Sequence, residues 1–86
     1  MKPYYLYILK CSDGSLYTGI TTDIERRLKE HNNSKKGAKY TAYRRPLELI
    51  YQKEFKNRSE ALIEEAKIKK LKKEQKKILY NLKNFL

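Results

Sequence analysis

The sequence predicts a small α+β (α/β) domain: a three-stranded antiparallel sheet flanked by helices, in the order β-β-α-β-α-α. Three observations predict it. Two short tyrosine-rich segments of strand-favouring residues are joined by Ser12-Asp13-Gly14. Apolar residues recur at helical spacing from Ile24, alternate between Leu47 and Phe55, and return to helical spacing after Asn57. With 86 residues and no low-complexity tract, the chain can build one core but not two, so 1–86 is expected to be a single domain.

The first strand is expected over residues 4–10 and the second over Leu16 to Ile20. Turn chemistry sets which side chains share a face. A two-residue loop at Asp13-Gly14 would put Tyr7 and Tyr17 on opposite faces, whereas a three-residue loop with Gly14 in the left-handed conformation puts them on the same one. The second register also segregates the aliphatics, with Leu6, Ile8, Leu16, Thr18 and Ile20 on one face and Tyr5, Tyr7, Leu9, Tyr17 and Gly19 on the other. Gly19 leaves a gap beside Tyr17, for close backbone packing or for a ligand.

Thr22 or Asp23 can cap a helix running to about Asn32. At about 100° per residue, Arg27 and His31 border the stripe of Ile24 and Leu28, while Arg26 points to solvent. A polar pair at that position needs partners, because burying it unpaired is costly. His31 alone could equally be a helix-end histidine stabilised by the dipole.

Residues 33–46 show no clean period and hold five basic residues and two tyrosines. Cations and aromatic faces suit a strand-binding loop, and a solvated linker is the plainer alternative. Leu47 to Phe55, with Leu47, Leu49, Tyr51 and Phe55 on one parity, reads as the third strand. Asn57 then caps a helix with Glu60 at the capping-box position. With Leu62 at the centre of its apolar arc, Glu65 lies inside the arc and Glu64 faces water. Lys69 also lies inside, so an internal Glu65–Lys69 pair is the simple reading, and a metal or catalytic role for the inward carboxylate the sharper one. Spacings of four and three from Ile68 to Phe85 predict a last helix, roughly 73–84, packed on the domain after a break near Lys72-Lys73.

Composition narrows the partners. A formal net charge of +11 opposes folding by self-repulsion unless a polyanion screens it, and nucleic acid is the natural counter-charge. One cysteine excludes an intrachain disulfide, and with one histidine it cannot form a structural zinc site. No run approaches the ~18 apolar residues needed to span a bilayer, so a soluble, cytoplasmic protein without a membrane partner is expected, with a monomer favoured.

No nucleotide-binding glycine loop, paired CxxC, HExxH or GxSxG element occurs. The ordered set Tyr7, Tyr17-Thr18-Gly19, Arg27, His31 and Glu65 instead resembles the GIY-YIG nuclease superfamily. Within it the chain is similar to the small stand-alone bacterial UPF0213 proteins and to the nuclease domain of the Slx1 structure-selective endonucleases. Tyr5-Leu6-Tyr7 stands for Gly-Ile-Tyr, Tyr17-Thr18-Gly19 for Tyr-Ile-Gly, and Arg27 and His31 for the Arg-x-x-x-His helix. Gly37-Ala38-Lys39-Tyr40-Thr41 resembles the family's Gly-Ala…Thr loop, and Ala61-Leu62-Ile63-Glu64-Glu65 the segment ending in its metal-binding glutamate. Tyr5 departs from the first motif's glycine, and the downstream asparagine has no secure counterpart, Asn81 being a loose candidate.

The resemblance implies a divalent-metal-dependent endonuclease hydrolysing DNA in one step, possessing Tyr7, Tyr17, Arg27, His31 and Glu65 as catalytic residues. Glu65 would hold one Mg²⁺ or Mn²⁺ and Arg27 the scissile phosphate. Tyr17 would accept the proton if its pKa fell from about 10. Tyr7 would orient water or tyrosine and His31 would relay. That ranking of the base follows the resemblance; the residues alone leave Tyr7, Tyr17 and His31 open. Lys35, Lys36, Lys39, Tyr40, Thr41, Arg44, Arg45 and Lys69 are the expected nucleic-acid contacts, and Gly14 and Gly19 the structural glycines. Two other functions compete: a nucleic-acid-binding module with the nuclease fold but no turnover, and an interaction protein using its last helix.

Overall fold

The computed structural model describes residues 2–33, 39–72, 74–76 and 78. Its elements are β1 (Tyr4–Lys10), β2 (Leu16–Thr21), α1 (Ile24–Asn33), α2 (Lys39–Ala42), β3 (Glu48–Phe55) and α3 (Arg58–Lys69). The strands form one antiparallel sheet in the order β2-β1-β3. Its central strand β1 is apolar or aromatic on both parities because both faces are covered, and Leu6, Tyr7, Ile8 and Leu9 are all buried. One face packs Tyr7, Leu9, Cys11 and Leu47 against Ile24 and Leu28 of α1; the other packs Leu6 and Ile8 against Ile68 of α3.

The hairpin has the expected three-residue loop. Cys11 N–H donates to Ser15 O at 2.8 Å and Gly14 N–H to Cys11 O at 2.9 Å, with Gly14 at φ 85°, where a side chain would be strained. Tyr7 therefore pairs with Gly19 and Leu9 with Tyr17, which places both tyrosines on the α1 face. In β3 the single-parity reading fails. Leu9 faces Leu49 but Ile8 faces Tyr51, so Ile50 is an extra residue and the ladder bulges there. The bulge lets one strand serve two cores: Leu49 joins the α1 side, while Ile50, Tyr51 and Phe55 join the α3 side.

Helix ends follow their caps. Arg26 N–H donates to Asp23 Oδ1 at 3.0 Å at the start of α1, and Glu60 N–H to Asn57 Oδ1 at 2.9 Å at the start of α3. The apolar arc of α3 is centred on Ala61 and Ile68, not Leu62, and Ile63 is exposed. Glu64 and Glu65 consequently flank the buried line, and Glu64, expected in water, is half-buried and helps, after burial, to push the Tyr51 phenol up. Within the segment expected to be irregular, residues 39–42 form a single helical turn. Residues 74–76 and 78 are helical after a break at 70–72; the rest of the expected 73–84 helix lies outside the described residues.

Asn32 joins α1 to β3. Its Nδ2 donates to Leu47 O at 3.2 Å and its Oδ1 accepts from Leu47 N–H at 2.7 Å. Asn32→Ala strips partners from a buried residue's backbone and is expected to lower unfolding free energy by about 2 kcal/mol in urea titration, whereas Asn33→Ala, at an exposed neighbour, changes it little.

Candidate active site

The site forms where the tyrosine face of the hairpin meets α1. Ile24 and Leu28 hold α1 onto that face, so Arg27 and His31, one turn apart, come down over the tyrosines while Arg26 stays largely in water. The Tyr7, Tyr17 and His31 rings cluster, with centroids 6.4 Å apart for Tyr7–Tyr17, 5.9 Å for Tyr7–His31 and 5.0 Å for Tyr17–His31. The gap expected at Gly19 is filled by Tyr7. A Cβ built on Gly19 would lie 2.5 Å from the Tyr7 hydroxyl and 2.7 Å from Cζ, so only glycine admits the ring in this position.

His31 is wholly buried, with Nε2 3.0 Å from the Tyr7 hydroxyl and Nδ1 2.8 Å from Thr41 Oγ1. The partners settle the proton positions. Arg27 can only donate, so the Tyr7 oxygen accepts from it; the buried Tyr7 O–H then needs an acceptor, and His31 Nε2 supplies it. Nδ1–H accordingly donates to Thr41. Burial first, and then the Arg27 charge, push the His31 pKa from 6.5 down to about 4, so the imidazole is neutral near pH 7. Burial likewise pushes Tyr7 up to about 12, against the opposing Arg27 hydrogen bond. Burial disfavours the Arg27 charge, but bonds with Tyr7 and Glu30 outweigh it and hold its pKa above the ordinary value.

Glu65 arrives from α3. Its carboxylate is among the charges raising the Tyr7 pKa, which puts it within electrostatic reach of the cluster, and its Oε2 lies 3.6 Å from Lys69 Nζ. Tyr7, Tyr17, Arg27 and His31 are thus brought together, with Glu65 coupled to them through its charge on Tyr7. The expected strand contacts divide differently. Thr41 is wholly buried against His31, and so is a support for the histidine instead of a surface contact. Arg44 Nε donates to Asp13 Oδ2 at 3.1 Å and so ties down the hairpin turn, while Arg45 Nε donates to the His31 carbonyl at 2.5 Å and braces the site. The Lys69 side chain is 54% exposed beside Glu65. Lys35 and Lys36, and the side chains of Lys39 and Tyr40, lie outside the described residues. Gly14 acts through the turn and Gly19 through the site. Sequence reasoning missed Glu30, bonded to Arg27 at 3.0 Å; its position three residues on in the same helix was the available signal.

Two measurements follow from this geometry. Gly19→Ala forces the Tyr7 ring off its seat and is expected to cost about 2 kcal/mol; combining it with Tyr7→Leu in a double-mutant cycle should show a less than additive loss. Below about 6.5 the unfolded chain protonates an imidazole that the folded chain keeps neutral down to about 4, so stability contributed by His31 is present above that window and lost on acidification through it. Unfolding free energies from urea titration at about pH 7 and about pH 4.5 should differ by on the order of 2 kcal/mol more for the wild type than for His31→Gln.

Residues 3–78 match the GIY-YIG catalytic domain. The chain is 53% identical over 76 residues to the UPF0213 protein SSP2268 of Staphylococcus saprophyticus, covering 88% of this chain and 92% of that one. It is 51% identical over 78 residues to the UPF0213 protein SAG0778 of Streptococcus agalactiae, covering 91% and 86% respectively. Two solution NMR structures are similar. Protein EF2693 from E. faecalis is 48% identical with a TM-score of 0.69, over 100% of this chain and 91% of that one. The UPF0213 protein BH0048 from Bacillus halodurans is 47% identical with a TM-score of 0.61, over 94% and 85%. A nuclease-type domain matched across 3–78, and UPF0213 relatives matched at about half identity over most of their length, lead to one conclusion: the chain belongs to the GIY-YIG family, in its UPF0213 group.

Proposed function

We propose that this protein is a divalent-metal-dependent endonuclease that hydrolyses DNA phosphodiester bonds in one step. One observation carries the reading: the Tyr7 hydroxyl meets a neutral histidine and an arginine beside the Tyr17 ring, and the charge of Glu65 from a distant helix is felt at that same hydroxyl. Hydrolysis needs these functions together, namely a proton acceptor, a cation for the phosphate and an anchor for a metal.

Arg27 presents its guanidinium beside the tyrosines and can grip the scissile phosphate through two parallel N–H bonds. Water attacks phosphorus, gives its proton to the base, and the bond to the 3′ oxygen breaks. Tyr17 suits the base better than Tyr7, whose proton burial retains and His31 receives by hydrogen bond. His31, held by Thr41 and neutral, fixes the Tyr7 hydroxyl instead of taking a charge itself.

The chemistry of Glu65 fits Mg²⁺ or Mn²⁺. No group of three His, Cys, Asp or Glu that could cage a metal occurs among the described residues, and a lone carboxylate suits a hard ion that keeps its waters and shares the substrate's phosphate. When bound there, the ion would supply positive charge to the phosphate and to the departing 3′ oxygen. Lys69, paired with Glu65 in its absence, would be released toward the DNA backbone.

The +11 charge supports a nucleic-acid substrate bound mainly through phosphates. A domain of this size, acting as a monomer in the cytoplasm, would select DNA by shape, such as a branch met in repair or recombination, more than by sequence. The test is incubation of wild type and Glu65→Ala with duplex, single-stranded and branched DNA, with and without Mg²⁺ or Mn²⁺. Metal-dependent cleavage reduced about hundredfold or more in Glu65→Ala is expected; equal cleavage by the two proteins would refute the Glu65 metal site. Salt-sensitive binding without any cleavage would favour a binding module, and Tyr17→Phe cutting at full rate would remove Tyr17 as base.

A further inference from the structure

We infer that Glu30 is an internal stand-in for the substrate phosphate, holding Arg27 ready in the free protein and passing to Arg26 when a phosphodiester takes its place. The inference rests on the proposed role of Arg27 as the phosphate-binding cation.

The two carboxylate oxygens of Glu30 serve different partners. Oε1 accepts from Arg27 Nη1 at 3.0 Å, and Oε2 lies 4.0 Å from Arg26 Nε. Helical geometry creates this choice, since residues three and four positions before Glu30 both border it. The partners differ in setting: the side chains of Arg27 and Glu30 are 25% and 20% exposed, at the rim of the site, whereas that of Arg26 is 60% exposed. A modest rotation of one side chain moves the carboxylate from the inner guanidinium to the outer one.

Glu30 meets Arg27 through Oε1 alone, so it neutralises the guanidinium while engaging it less fully than a phosphate taking two parallel N–H bonds would. Its charge also reaches the cluster, where it opposes the influence of Arg27 on His31. An anion fixed there would repel the phosphate. An anion that can leave does two useful things: it keeps Arg27 in place among Arg26 and Arg45, and it withdraws when replaced. Arg26, which contacts nothing in the cluster directly, thereby becomes a positioning residue. Parting a pair this exposed weakens binding by no more than about fivefold.

The test uses fluorescence anisotropy of a labelled DNA duplex at low salt in EDTA, with charge-matched substitutions on the same helix as controls. Glu25 and Lys29 are exposed. Glu30→Gln should tighten binding about threefold more than Glu25→Gln, and Arg26→Ala should weaken it more than Lys29→Ala. The Arg26→Ala excess should vanish in the Glu30→Gln background, and with Mg²⁺ the Glu30→Gln effect should appear in KM and not in kcat. Equal effects within each matched pair, or an Arg26→Ala excess that persists without the Glu30 charge, would overturn the inference while leaving the nuclease reading intact. Failure of the unsubstituted protein to bind duplex would overturn both.

Discussion

The contact on which the site depends is the seating of the Tyr7 hydroxyl over Gly19, with its proton directed to His31. Everything nearby is arranged to keep that hydroxyl in place. The three-residue turn sets the register that puts Gly19 opposite Tyr7, and α1 lowers His31 onto the ring. Thr41 occupies the other imidazole nitrogen, and Arg45 ties down the backbone carbonyl of the same residue. A phenol buried in this way loses acidity and becomes a fixed donor.

The second constraint is that a three-stranded sheet must satisfy two cores at once. β1 is apolar on both sides, so helices cover both faces, and the bulge at Ile50 lets β3 contribute to each. This packing sets α3 on the face of the sheet opposite the tyrosine cluster, so Glu65 is coupled to Tyr7 through its charge and not through packing. α3 is anchored by Ala61 and Ile68, and the adjacent glutamates splay to either side of that line, Glu64 toward Tyr51 and Glu65 toward Tyr7. Helical spacing within α1 and α3 accounts for the pairing of charged groups in the free protein, Arg27 with Glu30 and Glu65 with Lys69.

Local rules made part of this legible. The left-handed Gly14 and the segregation of aliphatics determined the hairpin register, and the spacing of Ile24, Leu28, Arg27 and His31 determined which face of α1 turns inward. What stayed hidden depends on tertiary demand. The bulge answers the needs of two cores, which no single-strand periodicity encodes. The arc of α3 was misplaced because Leu62 and Ile63 are apolar in sequence yet lie off the buried line. Glu65 is singled out all the same, by its place in the family motif and its position inside the expected arc. Thr41, Arg44 and Arg45 read as strand contacts because a threonine and two cations in an aperiodic segment carry no mark of their partners; only the fold brings His31 and Asp13 to them.

In the proposed reaction this cluster directs one water at a DNA phosphorus and expels the 3′ oxygen. Mass spectrometry of the cleaved ends after reaction in ¹⁸O-labelled water follows that water to its product. The expected products are 3′-hydroxyl ends and 5′-phosphates carrying one labelled oxygen, with no protein–DNA adduct at any time. Label in a 3′-phosphate, or a covalent tyrosyl intermediate, would contradict it.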